Sequence, residues 1–429
     1  MTRYIKLTLL IIFINLSLLQ SEALANKPQD PNPYFIIEVE GKYGYIDKTG
    51  KVVINPQFDD AWDFSEGLAR VRIGDKWGYI DKTGKVVINP QFDDAGTFSE
   101  GLATLRIGFK HGYIDKTGKI VINPQFDGAY NFSEGLARVK TGGWFTGKHG
   151  YIDKTGKIII NPQFLSAEDF SEGLACVRIG GNYEGITITG GKFGYIDKTG
   201  KVVIEPQFER ASSFSEGLAS VRIGDVLTGK WGYINKTGKV IIKPQFDEAL
   251  EFSEGLARVR IGDKWGYIDK SGKVVIKPQF EEVEVFSEGL AKVKIGDKYG
   301  YIDKTGKIVI EPQFDWAYNF SEGLAKVKIG GLVSGKWVYI DKTGKYFWDG
   351  QIATTKLETE DASSYYNRGN AYYNKGDYDQ AISDFTKAIE LDPKYAAAYN
   401  KRGNAYYEKG EYNKAILDYT KAIELDPKY

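Results

Sequence analysis

Hydrophobic and polar positions along this chain repeat one short phrase. Between Gly41 and Trp348 three apolar runs recur in a fixed order, clearest at Trp77-Gly78-Tyr79-Ile80, Val86-Val87-Ile88 and Leu102-Ala103-Thr104-Leu105. Each run is rich in β-branched and aromatic residues and is bounded by Gly, Asp, Lys or Pro, the pattern of strands joined by turns. Asp81-Lys82-Thr83-Gly84 offers a side-chain acceptor and then a glycine where φ > 0 is wanted, so it predicts a tight hairpin between the first two runs. Pro90 has no N–H to donate, and Pro90-Gln91-Phe92 is expected to break the ladder, leaving the stretch to Phe98-Ser99-Glu100-Gly101 as a connector. The pattern thus predicts nine three-stranded antiparallel units over residues 35–348.

The copies form an alignment of their own. Eight Gly-Tyr-Ile triads run from Gly44 to Gly300, with Val338 replacing the glycine in a ninth copy, at spacings of 34, 34, 38, 44, 38, 34, 34 and 38 residues. All the extra residues fall in one turn, around Trp144-Phe145-Thr146, Asn182 to Thr189, Val226-Leu227-Thr228 and Leu332-Val333-Ser334, which places that turn at a free surface on the same side of every unit. Phe-Ser-Glu-Gly and Pro-Gln-Phe each occur eight times without drift and are read as architecture. Asn235 replaces the turn aspartate once, so an acceptor oxygen is required there and a charge is not. An aromatic slot holds Tyr43, Trp77, His111, His149, Phe193, Trp231, Trp265, Tyr299 and Trp337, and rings stacking from unit to unit are its expected role.

Lys76-Trp77-Gly78-Tyr79-Ile80-Asp81 on a 34-residue period resembles the WG-repeat (KWG) family of bacterial β-rich repeats, over about residues 35–348. The resemblance implies a β-repeat array, common in secreted or envelope-associated proteins, with no shared activity to carry over. Nine whole units with no blade split between the two ends predict an open, solenoid-like array; a closed propeller, for which four to eight blades are usual, is the alternative.

From Ala362 the period stays at 34 but the pattern turns helical. Tyr365, Gly369, Tyr372, Ala381, Phe385, Ala388 and Pro393 recur at the same offsets as Tyr399, Gly403, Tyr406, Ala415, Tyr419, Ala422 and Pro427. Residues 362–429 therefore resemble two tetratricopeptide motifs, which implies an α-helical pair of the protein-binding type. Ile382 and Ile389 should pack against the helix that begins near Ala396; Ile416 and Ile423, with no helix after them in this sequence, are expected to face outward as a docking stripe.

Residues 1–25 carry Arg3 and Lys6, an apolar run from Leu7 to Leu19, and Ala23-Leu24-Ala25, which predicts export with cleavage after Ala25 to a secreted or periplasmic location. Residues 26–34 form a leader and 349–361 a polar linker. Lysine plus arginine equals aspartate plus glutamate at 57 each, which gives no footprint for nucleic acid. Cys176 is the single cysteine, in a strand slot that other copies fill with Arg70, Thr104 or Arg138, and is read as a surface position. The two histidines, His111 and His149, lie in the aromatic slot. Gly-Tyr-Ile-Asp-Lys-Thr-Gly-Lys lacks both the glycine spacing and the following Ser or Thr of a phosphate loop. No catalytic, metal or cofactor residues are assigned.

Two features point to recognition. A row of cations in the third run, including Arg72, Arg106 and Arg260, could meet an anionic glycan or an acidic protein, unless the Glu of Phe-Ser-Glu-Gly neutralises it. The connector varies from copy to copy on a fixed frame and carries Trp62, Trp316 and Tyr318. The expected function is a non-enzymatic extracytoplasmic scaffold that binds protein, self-association included. The alternative is a glycan-binding module in which Trp77, Trp231, Trp265 and Trp337 lie open to stack on sugars.

Overall fold

The computed structural model describes residues 32–143, 146–184, 187–225, 228–331, 335–348, 362–374 and 376–426. The predicted signal segment with its Ala25 site, and the linker 349–361, lie outside them, as do Trp144, Phe145, Val226, Leu227 and Leu332 to Ser334 of the inserted turns. The chain divides into a β unit and a helical unit.

The β unit is a nine-bladed propeller. Blade 1 has three strands, Phe35–Val39, Lys42–Ile46 and Val52–Phe58, and each later blade has four, as in blade 2: Asp60–Ala61, Leu68–Ile73, Lys76–Asp81 and Val86–Phe92. The fourth strand was not anticipated: the connector after Phe58 pairs, Asp60 with Arg72 and Ala61 with Val71, and becomes the innermost strand of the next blade. Proline does not end the outer strand either. The strand bulges at Pro90 and pairing resumes at Trp77–Phe92. The bulge crosses so closely over Gly78 that a Cβ there would lie 2.5 Å from the Ile88 carbonyl oxygen. Val338 is admitted in blade 9 because the outer strand Tyr346–Trp348 lacks the proline bulge.

The undrifting residues clamp neighbouring blades together. The Tyr79 ring packs on Phe98 at 5.0 Å, and its hydroxyl donates to the Gly96 carbonyl at 2.8 Å. Ser65 Oγ donates to the Phe98 carbonyl at 2.7 Å. Glu66, held at φ 53°, accepts from Gly101 N at 3.0 Å and pairs with Lys116 of blade 3 at 3.1 Å. The predicted Asx turn forms as well, Asp81 Oδ1 accepting from Thr83 N at 2.8 Å and Lys85 N at 3.1 Å, and Asn235 does the same for Thr237 N at 3.1 Å.

The ring closes, contrary to the predicted open array. Phe35, Ile37 and Ile46 of blade 1 share a core with Leu324, Tyr339 and Trp348 of blade 9, and Tyr339 donates to the Ile36 carbonyl at 2.9 Å. Lys48 meets Glu322 at 3.9 Å in the same inter-blade pairing. Side-chain packing at the seam replaces the shared blade on which the open-array argument depended.

The helical unit contains α1 (Ala362–Asn374), α2 (Tyr378–Leu391), α3 (Ala396–Glu408) and α4 (Tyr412–Leu425), two antiparallel pairs. Small residues permit close packing: a Cβ on Gly369 would lie 2.7 Å from the Phe385 ring. Arg402 grips the buried Asp418 with two bonds, of 2.7 and 2.8 Å.

Candidate interaction surfaces

The connectors form the innermost strands, so the variable positions line the ring's inner edge. Trp62 lies in blade 2 with the Arg70 guanidinium 4.0 Å over its ring. Trp316 and Tyr318 lie in blade 9, both partly open, packed on Tyr299 at 5.6 Å and Trp337 at 5.5 Å. These three residues flank blade 1, which has no innermost strand among the described residues. Around the edge, Glu168 is buried enough to push its carboxyl up, and Asp169 and Glu251, two blades on, add to the shift while Arg138 opposes it.

The cationic row forms, but its partners differ from the expected glutamates. Register places Arg72 opposite Asp60, Arg106 opposite Asp94, Arg260 opposite Glu248 and Lys294 opposite Glu282. Arg72 lies 3.8 Å from Asp60, and Arg260 and Lys294 each 3.0 Å from their acids. The glutamate of Phe-Ser-Glu-Gly is occupied with the clamp instead. On its other side each cation faces the aromatic slot, as with Arg260 over Trp265 at 5.8 Å and Lys328 over Trp337 at 5.3 Å. The slot rings therefore alternate with cations and do not stack on one another from blade to blade. Trp77, Trp231 and Trp265 are half-buried against the cores.

Cys176 is 1% exposed, not a surface residue, because its slot points at the innermost strand of the following blade, with Sγ 3.6 Å from the Ala211 carbonyl; burial pushes its thiol up. Burial, then Arg138 and Lys140, bring His149 down to about 3 and keep it neutral. Burial lowers His111 too.

On the helical unit, Ile389 is 9% exposed and packs with Ala398 of α3, whereas its counterparts Ile416 and Ile423 are 61% and 49% exposed, with Leu417 at 70% between them.

The family described as WG containing repeat matches eight segments, 43–77, 77–108, 112–143, 150–183, 193–226, 231–265, 265–299 and 299–337. The chain belongs to the WG-repeat family. Its helical part matches the tetratricopeptide repeat at 362–395 and 396–429. No curated protein matches this WG-repeat chain. Among solved structures it is similar to the dihydro-heme d1 dehydrogenase NirN in complex with DHE, at 11% identity and TM-score 0.39, over 76% of this chain and 74% of that one. It is also similar to the tricorn protease, at 10% identity and TM-score 0.24, over 74% of this chain and 35% of that one.

One group of residues escaped the sequence reading. In blades 4 to 6 the acids that face the cationic row give way to Gly128, Ser166 and Arg210. The copies themselves held the signal, had the connector been aligned against the cations it opposes.

Proposed function

We propose that this WG-repeat protein is a non-enzymatic interaction scaffold acting outside the cytoplasm, and that its helical unit captures the helix of a protein partner. The observation that carries the reading is the open stripe of Ile416 and Ile423, whose equivalents on α2, Ile382 and Ile389, are covered by a helix placing Ala405 and Ala398 against them. A partner helix with small residues at that spacing fits the stripe as α3 fits α2. In the propeller, the half-buried slot rings with cations beside them favour packing over sugar stacking. Cys176 and the two histidines are held neutral by burial, away from nucleophilic or acid–base work.

Changing Ile416 and Ile423 together to Glu tests the capture. Partner recovery from an envelope extract should fall while the helix content of the chain stays the same. Unchanged recovery, sedimentation and protease accessibility of α4 would refute it. Export is checked by intact mass: the protein recovered outside the cytoplasm should begin at Asn26, and a membrane-held chain retaining Met1 would overturn that part.

A further inference from the structure

One arc of the propeller, blades 4, 5 and 6 in succession, has lost the acid opposite the cationic row that blades 2, 3, 7 and 8 keep; blade 9 has lost it too, but there the aromatic Trp316 faces Lys328. The lysine that opens the second run bonds to an acid at the start of the next blade's innermost strand, as Lys42 does to Asp59, Lys110 to Asp127 and Lys298 to Asp315. At the junction of blades 4 and 5 that acid is the buried Leu165, and Lys148 makes no ion pair among the described residues. One position on, Ser166 stands opposite Arg178 where blades 2, 3, 7 and 8 have an acid. Arg178 carries a buried Nε with no partner among the described residues. In blade 6 the substitution goes further, because Arg210 lies directly opposite Arg222, a like-charge cross-strand pair that costs stability where a sibling acid would add it.

The arc is also where the surface is built up. Blades 4, 5 and 6 in succession carry the lengthened turn, and in blade 5 it forms a hairpin, Asn182–Glu184 with Thr187–Thr189. Tyr183 fastens that hairpin to its neighbour, donating to the Gly147 carbonyl at 3.1 Å and the Leu165 carbonyl at 3.3 Å. Beyond it, a cavity of about 550 Å³ opens between blades 6 and 7, lined by Arg222, Thr228, Lys230, Asp247 and Arg260 among others.

We propose that this arc, from Lys148 through Arg178 and Arg210 to the cavity at Arg222, binds an acidic peptide segment of a protein partner through its carboxylates. Guanidinium groups suit carboxylates because their paired N–H donors match the two oxygens. An acid on the ligand would supply at positions 166 and 210 what the sibling blades carry in their own chain. The proposal rests on the scaffold reading and adds a second contact, on the propeller, to the one on α4.

The test restores the sibling acids, Ser166→Asp with Arg210→Glu, a change that blades 2, 3, 7 and 8 show the fold accepts. Binding of a fluorescein-labelled oligoglutamate to the full chain is followed by anisotropy at low and physiological salt, with oligogalacturonate and inorganic phosphate as competitors. The peptide should bind the unmodified chain, weaken as salt rises, and bind the variant at least about tenfold less tightly, the scale of one or two charge-assisted contacts. Equal binding by the variant, or none by the unmodified chain, overturns the proposal. Displacement by oligogalacturonate at far lower concentration than unlabelled peptide overturns it in favour of an acidic glycan, and tight displacement by phosphate overturns it in favour of a small anion. Partner capture through α4, measured on the same variant, separates the readings: capture kept while oligoglutamate fails sinks the arc alone, and capture lost from the Ile416 and Ile423 variant sinks only the α4 contact if oligoglutamate still binds it.

Discussion

Gly78 shows how one residue fixes the course of a strand. Its missing Cβ leaves room for the proline bulge of the neighbouring strand, whose Ile88 oxygen and Pro90 nitrogen would sit 2.5 and 2.6 Å from any Cβ. Gly78→Ala should therefore lower stability by about 1–3 kcal/mol, the usual cost of overpacking a tight contact, seen in urea as a lower midpoint with the same slope. An unchanged midpoint would mean that the bulge simply moves aside. Val338 is the internal control: at 1% exposure it packs into the last core because no proline crosses it. The glutamates of Phe-Ser-Glu-Gly make a parallel case. They sit at φ between 52° and 56°, where a side chain costs about 1 kcal/mol or more, and the bonds of Glu66 to Gly101 and Lys116 offset that cost.

At the scale of elements, the strands with regular alternation were legible in the sequence, and so were the Asx hairpin and the helices with their buried Ala381, Phe385 and Ala388. These follow from local chemistry. The innermost strand was not legible, because Asp60–Ala61 is only two residues long and contains an aspartate, a poor strand former that pairs only because the next blade offers an edge. The outer strand was cut short for a similar reason, since a proline leaves a ladder only if no bulge can take it up, and the bulge depends on the glycine across from it. Of the candidate surfaces, the cationic row and the open face of α4 came from periodicity. The neutralising acids opposite the row did not, because the register that joins residues twelve positions apart has to be known before the connector can be aligned against the cations.

For the whole molecule, closure depends on the seam between blades 9 and 1. Seven of the lysine–glutamate clamps span 2.9–3.1 Å, but Lys48–Glu322 spans 3.9 Å, and among the described residues no strand is shared across that junction. Opening should start there. Tyr339→Phe with Lys48→Ala should make blade 1 the first part of the propeller cut by protease, whereas the same two changes at Tyr195 and Lys236, which both bridge blades 5 and 6, should leave the order of cutting as it was. If both pairs of changes behave alike, the seam is no weaker than any other junction. The clamps have a further consequence. Blade 4 presents to blade 5 the same serine, glutamate and tyrosine that it would present to blade 6, so the clamp by itself does not recognise which neighbour it has met. The clamps thus leave the number nine to chain connectivity and to the seam. A refolding chain that looped out one repeat would still mate every remaining blade correctly, and an in-frame duplication of 34 residues would enlarge the ring without any new contact having to be invented.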